Sequence, residues 1–310
     1  MHEFLFLLYV RRKTGVVMKK FIVIFGLLYS LLNTAWANDD ERLARLPAAQ
    51  KKIAVQMIEF MDHMDAKYFA RIEALNGGLE FEGLITDTEY SSYDIQVVRG
   101  PVIEKAGRMI SAGKKTSPGR GDSVLAWSRF YSIDIHPKTP LVGMMHAAIV
   151  MQFFEDGRSF VGGWLGVLPG TRIEEDLQAL RLITNQHFEK YNKDPEIWRR
   201  AICEGTQGTV AEFRRRPACS GVSLYAQPVF PGDTEQSYVF AAELFDLFID
   251  GFLDTVEKRA TDSFTPADIL AQDEMRKRWL VDQLFSDPFS SKIVPFKIWS
   301  FANVPPVIKF

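Results

Sequence analysis

The sequence predicts an α+β fold built on an antiparallel sheet, and three observations carry the prediction. Between Val124 and Leu168, three segments rich in β-branched and aromatic residues follow one another across short turns. Segments whose apolar residues recur every three or four positions lie before and after them. Short turns can join only antiparallel neighbours, because a parallel pair needs a crossover of a dozen or more residues.

Each element has its own signal. From Ala48 to Leu75, the residues Ile53, Met57, Met61, Met64, Tyr68, Ile72 and Leu75 mark an amphipathic helix, stopped by Asn76-Gly77-Gly78. Methionines at that spacing read as core filler. A strand is expected at 94–99, a turn at Gly100-Pro101 and an exposed loop at 113–122. The three central strands are expected at 124–135, 146–154 and 158–168. His136-Pro137-Lys138-Thr139-Pro140 divides the first two, and the tight hairpin signal Glu155-Asp156-Gly157 the last two. Helical periodicity returns from Glu174 to Tyr191 through Leu177, Leu180, Ile183 or Thr184, and Phe188. Two more strands are expected at 208–213 and 220–226, around Arg214-Arg215-Arg216-Pro217. Helices are expected at 234–259 and 265–285, the second opened by Thr265 as N-cap and Pro266 at the first helical position. No repeat or long linker divides the chain, so residues 38–310 read as a single domain.

Composition bounds the function. With 310 residues, 47% apolar and 25% charged, the chain is neither disordered nor collagen-like nor a disulfide-dense scaffold. Lys plus Arg total 37 against 39 Asp plus Glu, so there is no general electrostatic case for nucleic acid. Met18-Lys19-Lys20, the apolar run Phe21 to Leu32, and Ala35-Trp36-Ala37 have the three-part order of a secretory signal cut after Ala37. Residues 1–17 then form an upstream extension. The apolar run is short of the roughly 20 residues of a spanning helix, so no stable membrane anchor remains after processing. Removing residues 1–37 leaves 32 basic against 38 acidic side chains, a net −6 over 273 residues. A soluble acidic protein, periplasmic or secreted, is expected. Cys203 and Cys219 are either bridged or two buried thiols; their spacing leaves both open.

Chemistry is sparse at the level of motifs. No G-x-S-x-G, P-loop, dinucleotide fingerprint or zinc spacing occurs. Arg214-Arg215-Arg216 is the densest positive charge of the mature chain: a solvated turn, or a clamp for carboxylates or phosphates. His146, at the head of an apolar run, reads on its own as a structural histidine.

Five segments, in order, resemble the oxygen-dependent coproporphyrinogen III oxidase family. Val102-Ile103-Glu104-Lys105-Ala106-Gly107 is similar to its V-F-E-K-A-G. Ile135 to His146 follows its I-H-P-R-N-P-x-V-P-T-x-H without a gap, and Phe160 to Pro169 keeps the frame and glycines of its W-F-G-G-G-x-D-L-T-P. Asp262-Ser263-Phe264-Thr265-Pro266 is similar to its D-S-F-T-P, and Arg276 to Asp287 to its R-G-R-Y…L-L-Y-D. The resemblance covers roughly residues 45–295. It implies a large flat antiparallel sheet with helices on both faces, a homodimer, and a cleft for a tetrapyrrole. There, molecular oxygen, with no metal or organic cofactor, would convert two propionates to vinyl groups with loss of carbon dioxide. It places Asp287 as the catalytic aspartate facing the pyrrole nitrogens and His146 as the catalytic histidine near substrate. Ser132 would line the cleft, and Arg214, Arg215 and Arg216 would hold propionates. The chain departs from the pattern at Val150, where the family has arginine, and at Gly166, where it has aspartate. It departs also at Glu89 to Tyr93, which lacks glycine, and at Pro288, where a basic residue is expected. Two functions follow: an exported oxidase of a propionate-bearing tetrapyrrole, or an exported non-catalytic tetrapyrrole carrier that lost part of the machinery.

Overall fold

β-Branched and aromatic residues that alternate in direction make two-sided strands, and here seven of them pair in simple chain order. The computed structural model describes residues 41–116, 123–203, 217–286 and 294–310. Its sheet runs β1 (Glu80–Asp87), β2 (Ser91–Arg99), β3 (Ile103–Gly113), β4 (Leu125–Pro137), β5 (Met144–Phe154), β6 (Ser159–Leu168) and β7 (Val222–Ser223). Every neighbouring pair is antiparallel. The segments around Ser132, His146, Gly163 and Ser223 share this one sheet, and the fold is α+β as expected.

The sequence signals hold where turn chemistry is strong. The β5–β6 hairpin closes at Gly157, whose φ of 86° suits glycine. The first helix, α1 (Ala48–Asn76), ends on Gly77 in the left-handed conformation, with its N–H on the Glu73 carbonyl. Other positions needed correction. The strand expected at 94–99 is only the second half of β2, and β1 and β3 had no strand signal. β1 carries Glu80, Glu82 and Gly83 and is an edge strand with most residues exposed, so no apolar alternation marks it. β3 hides because Lys105 and Arg108 interrupt its apolar pattern, yet both are buried. The strand expected at 220–226 shrinks to two residues, which pair with Leu165 and Trp164. The strand expected at 208–213 lies outside the described residues.

Helices cover both faces. On one face α1, α2 (Glu174–Lys190) and α4 (Thr234–Arg259) bury sheet residues such as Tyr131, Ile133, Met145 and Ile149. The α1 residues Ile53, Met57, Met61, Met64, Tyr68 and Ile72 are all buried as their spacing predicts; Leu75 is only partly so. In α2 the buried member of the Ile183/Thr184 pair is Thr184, whose hydroxyl donates to the Leu180 and Ser220 carbonyls. On the other face Tyr93, Ile95, Val97 and Met109 pack under Trp279 of α5 (Pro266–Ser286) and Ile298, Trp299 and Ala302 of α6 (Phe296–Asn303). Thr265 caps α5 as expected: Asp268 Oδ2 accepts from the Thr265 N–H at 2.7 Å in a capping box. Two eight-residue helices, α3 (Glu196–Cys203) and α6, are too short for periodicity to announce them.

Two close contacts fix the layers around the site. A Cβ on Gly107 would stand 1.9 Å from the Ala302 carbonyl oxygen, so only glycine lets the end of α6 lie directly on β3. Cys203, the last residue of α3, is bridged to Cys219, three residues before β7. The question that spacing left open is thus answered in favour of the disulfide.

Candidate functional site

Strand register brings the expected residues together in rows. Ser132 on β4 stands opposite Ala148 on β5, which stands opposite Trp164 on β6. The next row is Asp134, His146 and Gly166. Alternation along each strand puts both rows on the face covered by α6. Ser132 and His146 are therefore neighbours on one surface. Asp287 and Arg214, Arg215 and Arg216 lie outside the described residues.

His146 is not a lone histidine. Its Nδ1 lies 3.0 Å from both carboxylate oxygens of Asp134, which is fully buried. The ring thus turns Nδ1 to the carboxylate, and Nε2 faces away from it. Nε2 has no partner among the described residues, and the side chain is 23% exposed. Behind the carboxylate, Asn303 Nδ2 donates to Asp134 Oδ2. His136 Nε2 donates to the Asn303 carbonyl at 3.1 Å, and Lys105 Nζ to the Val304 carbonyl at 2.6 Å. These donors meet the C-terminal carbonyls of α6, where a helix favours positive charge. Burial pushes the His136 imidazole well below its ordinary value, with the Lys105 and Arg276 charges adding to the effect. Ser132 Oγ and Asn303 Oδ1 are buried polar atoms without a hydrogen-bond partner among the described residues. They are unmet capacity within two residues or one bond network of His146.

The surroundings are partly aromatic. α6 packs over β2, β3 and β4, while Ile202 of α3 lies against Gly166 on β6. Between them runs a strip of β5 that carries His146; the partly buried Trp164 stands opposite Ala148, two residues along from it, and the partly buried Phe130 opposite Val150, four residues along. At the far side of α6, Arg276 Nη2 pairs with Glu104 at 2.7 Å, tying α5 to β3. Gln272 donates to the Pro137, Lys138 and Thr139 carbonyls and holds the loop between β4 and β5. The quoted segments around 104, 136 and 276 thus converge on one layer. A cavity of about 20 Å³ lined by Leu141, Leu177 and Phe252 lies on the opposite face, with room for about one water. No three His, Cys, Asp or Glu side chains converge on a possible metal position among the described residues.

Two of the four departures from the resembled pattern gain a structural meaning. Val150, four residues beyond His146 on the same face, is 7% exposed and apolar. At Gly166 a Cβ would approach Ile202 Cδ1 to 2.6 Å and Trp164 Nε1 to 3.1 Å, so a larger side chain there needs Ile202 to move. The carboxylate on the His146 row comes instead from β4, as Asp134. Sequence reasoning missed Asp134, Asn303 and Lys105. Asp134 had a usable signal, since a hairpin centred near Pro140 sets residue 134 opposite residue 146. Asn303 had none.

Lys105 offers a measurable consequence. It is 3% exposed, and burial, reinforced by Arg99, pushes its ammonium down to about 8, against the weaker pull of Asp134. Between that value and the ordinary 10.5 the unfolded chain binds more protons than the native one, so Lys105 makes stability rise with pH. Denaturant unfolding at pH 8 and pH 10.5 should show this rise in the wild type and a smaller one in Lys105→Met. Parallel profiles would contradict it, whatever the offset caused by the lost bond to Val304.

No protein-family model matches the chain.

Proposed function

We propose that the His146 face of the sheet takes up a propionate-bearing tetrapyrrole and that the protein is an exported oxidase with a coproporphyrinogen oxidase-like fold. The observation that carries the reading is His146 itself: a partly exposed ring that turns Nδ1 to a buried carboxylate and leaves Nε2 without a partner among the described residues, with the partly buried Trp164 on the neighbouring strand. Pyrrole N–H groups suit a fixed proton acceptor. In the proposed reaction each propionate gives up a hydride equivalent to oxygen and its carboxylate as carbon dioxide, which leaves a vinyl group. Asp287 would face the pyrrole nitrogens, Ser132 would line the cleft, and the Arg214 to Arg216 cluster would hold carboxylates bidentately. The homodimer and the periplasmic or secreted location belong to the same proposal.

One observation favours the second reading, a non-catalytic carrier. Ile202 packs on Gly166, and Val150 is apolar, so two polar groups of the family pattern have no counterpart at their own positions. Purified protein incubated with coproporphyrinogen III, with and without oxygen, separates the two readings by chromatography of vinyl products. The oxidase predicts vinyl products in air only. A carrier predicts none, but saturable quenching on titration with a fluorescent porphyrin. Asp287→Ala should weaken that binding roughly tenfold or more, the loss expected for one hydrogen bond to a charged group, and His146→Ala about two- to tenfold, as for a neutral one. No binding by the wild type, or affinity unchanged in both variants, rejects both readings.

A further inference from the structure

We propose that Asp134 and Asn303 are positioning residues that hold His146 in its Nδ1–H form, so that Nε2 is the proton acceptor presented by this face. The identity of the molecule that gives up the proton rests on the function proposed above; the tautomer assignment does not.

The argument follows the direction of each hydrogen bond. Asn303 can turn only its amide nitrogen toward a carboxylate, so Nδ2 donates to Asp134 Oδ2. Asp134 then has only acceptor capacity left for His146 Nδ1, which lies 3.0 Å from both oxygens. Asn303 is itself fixed from behind, because its carbonyl accepts from His136 Nε2 and the next carbonyl, Val304, accepts from Lys105. Asp134, His136 and Asn303 are nearly or fully buried, so water does not compete for these bonds. The groups that titrate or carry charge around the ring are Asp134 and His136 on β4 and Lys105 on β3; Asn303 on α6 is neutral.

This wiring makes a specific prediction for Asp134→Leu, which removes the acceptor at nearly the same volume. Nδ1–H then has no partner, while a hydrogen on Nε2 can reach solvent, so the ring proton moves to Nε2. Asn303→Ala leaves the carboxylate in place and keeps Nδ1–H, but frees the carboxylate to turn, so the Nδ1 proton exchanges faster with solvent.

Long-range ¹H–¹⁵N spectra of the ligand-free protein read the tautomer directly, with His146→Gln identifying the resonances. The wild type should show a protonated Nδ1 and bare Nε2, Asp134→Leu the reverse, and Asn303→Ala the wild-type tautomer with faster exchange of the Nδ1 proton. A wild-type ring protonated at Nε2 overturns the proposal even if no variant folds. An unchanged tautomer in a folded Asp134→Leu also overturns it, and unchanged exchange in Asn303→Ala overturns the role of Asn303. Because no ligand is added, a failure here is distinct from a failure to bind or oxidise a tetrapyrrole.

Discussion

Arg108→Met is expected to destabilise the protein by about 3 kcal/mol at pH 7, with the deficit shrinking toward pH 4. The guanidinium is 1% exposed and reaches Asp65 Oδ2 at 3.0 Å and Asp94 Oδ2 at 3.2 Å. It also donates to the Asp94 carbonyl at 2.8 Å, while Tyr131 donates to Asp65 at 2.8 Å. Methionine fills a similar volume but leaves two carboxylates facing an apolar layer. Removing one partner of a buried pair costs roughly 3–5 kcal/mol. The low end applies because Asp65 and Asp94 keep side-chain exposures of 21% and 23%. Burial already holds the Asp65 carboxyl above its ordinary value, despite the opposing pull of Arg108. Without Arg108 it rises further. The native state then binds more protons than the unfolded chain between the ordinary and raised values, so stability falls as pH climbs through that window. Urea unfolding at pH 4 and pH 7 measures the difference. The same deficit at both values would show that lost packing, not stranded charge, is the cost.

Breaking the disulfide should have a comparable effect. Cys203 and Cys219 close a 16-residue separation, for which the loss of unfolded-state constraint predicts about 3 kcal/mol. At the usual sensitivity of chains this long, the Cys203→Ser/Cys219→Ser variant should melt roughly 5 °C lower. Reductant should bring the wild type to the same point and leave the variant unchanged. Identical melting of the oxidised wild type and the variant would refute the assignment of stability to the bridge. The intact mass of exported protein supplies a linked test, since a chain beginning at Asn38 and lacking two thiol hydrogens fits both the proposed export and the bond. A mass that still includes residues 18–37 would argue against the signal peptide.

What the sequence disclosed depended on how local each cause was. Gly77, Gly157 and Thr265 act within a few residues, and the turn or cap at each is where its neighbours predict. The α1 stripe was legible because one side of that helix does nothing but pack. β3 was not, because its buried Lys105 and Arg108 look like surface residues until α6 and α1 supply their partners. His146 was found through resemblance alone, while its carboxylate required the register of β4 against β5. Asn303 required a helix that no periodicity marks. Asp287 is named by resemblance alone and the positive cluster by its charge density, and both belong to the proposed function.

The bonds that orient His146 also set a schedule. Asp134 and Asn303 are 169 positions apart, His136 and Asn303 167, and Lys105 and Val304 199. Strands β3 to β5 leave the ribosome long before α6 does, and their pairing needs only neighbouring segments. Contacts of such long span form late, after loop closure of everything between. A nascent sheet can therefore already set Asp134 opposite His146 while the carboxylate still lacks its Asn303 donor. The pair is locked from behind only when α6 settles over Gly107, so its fixed geometry is withheld from every shorter nascent chain.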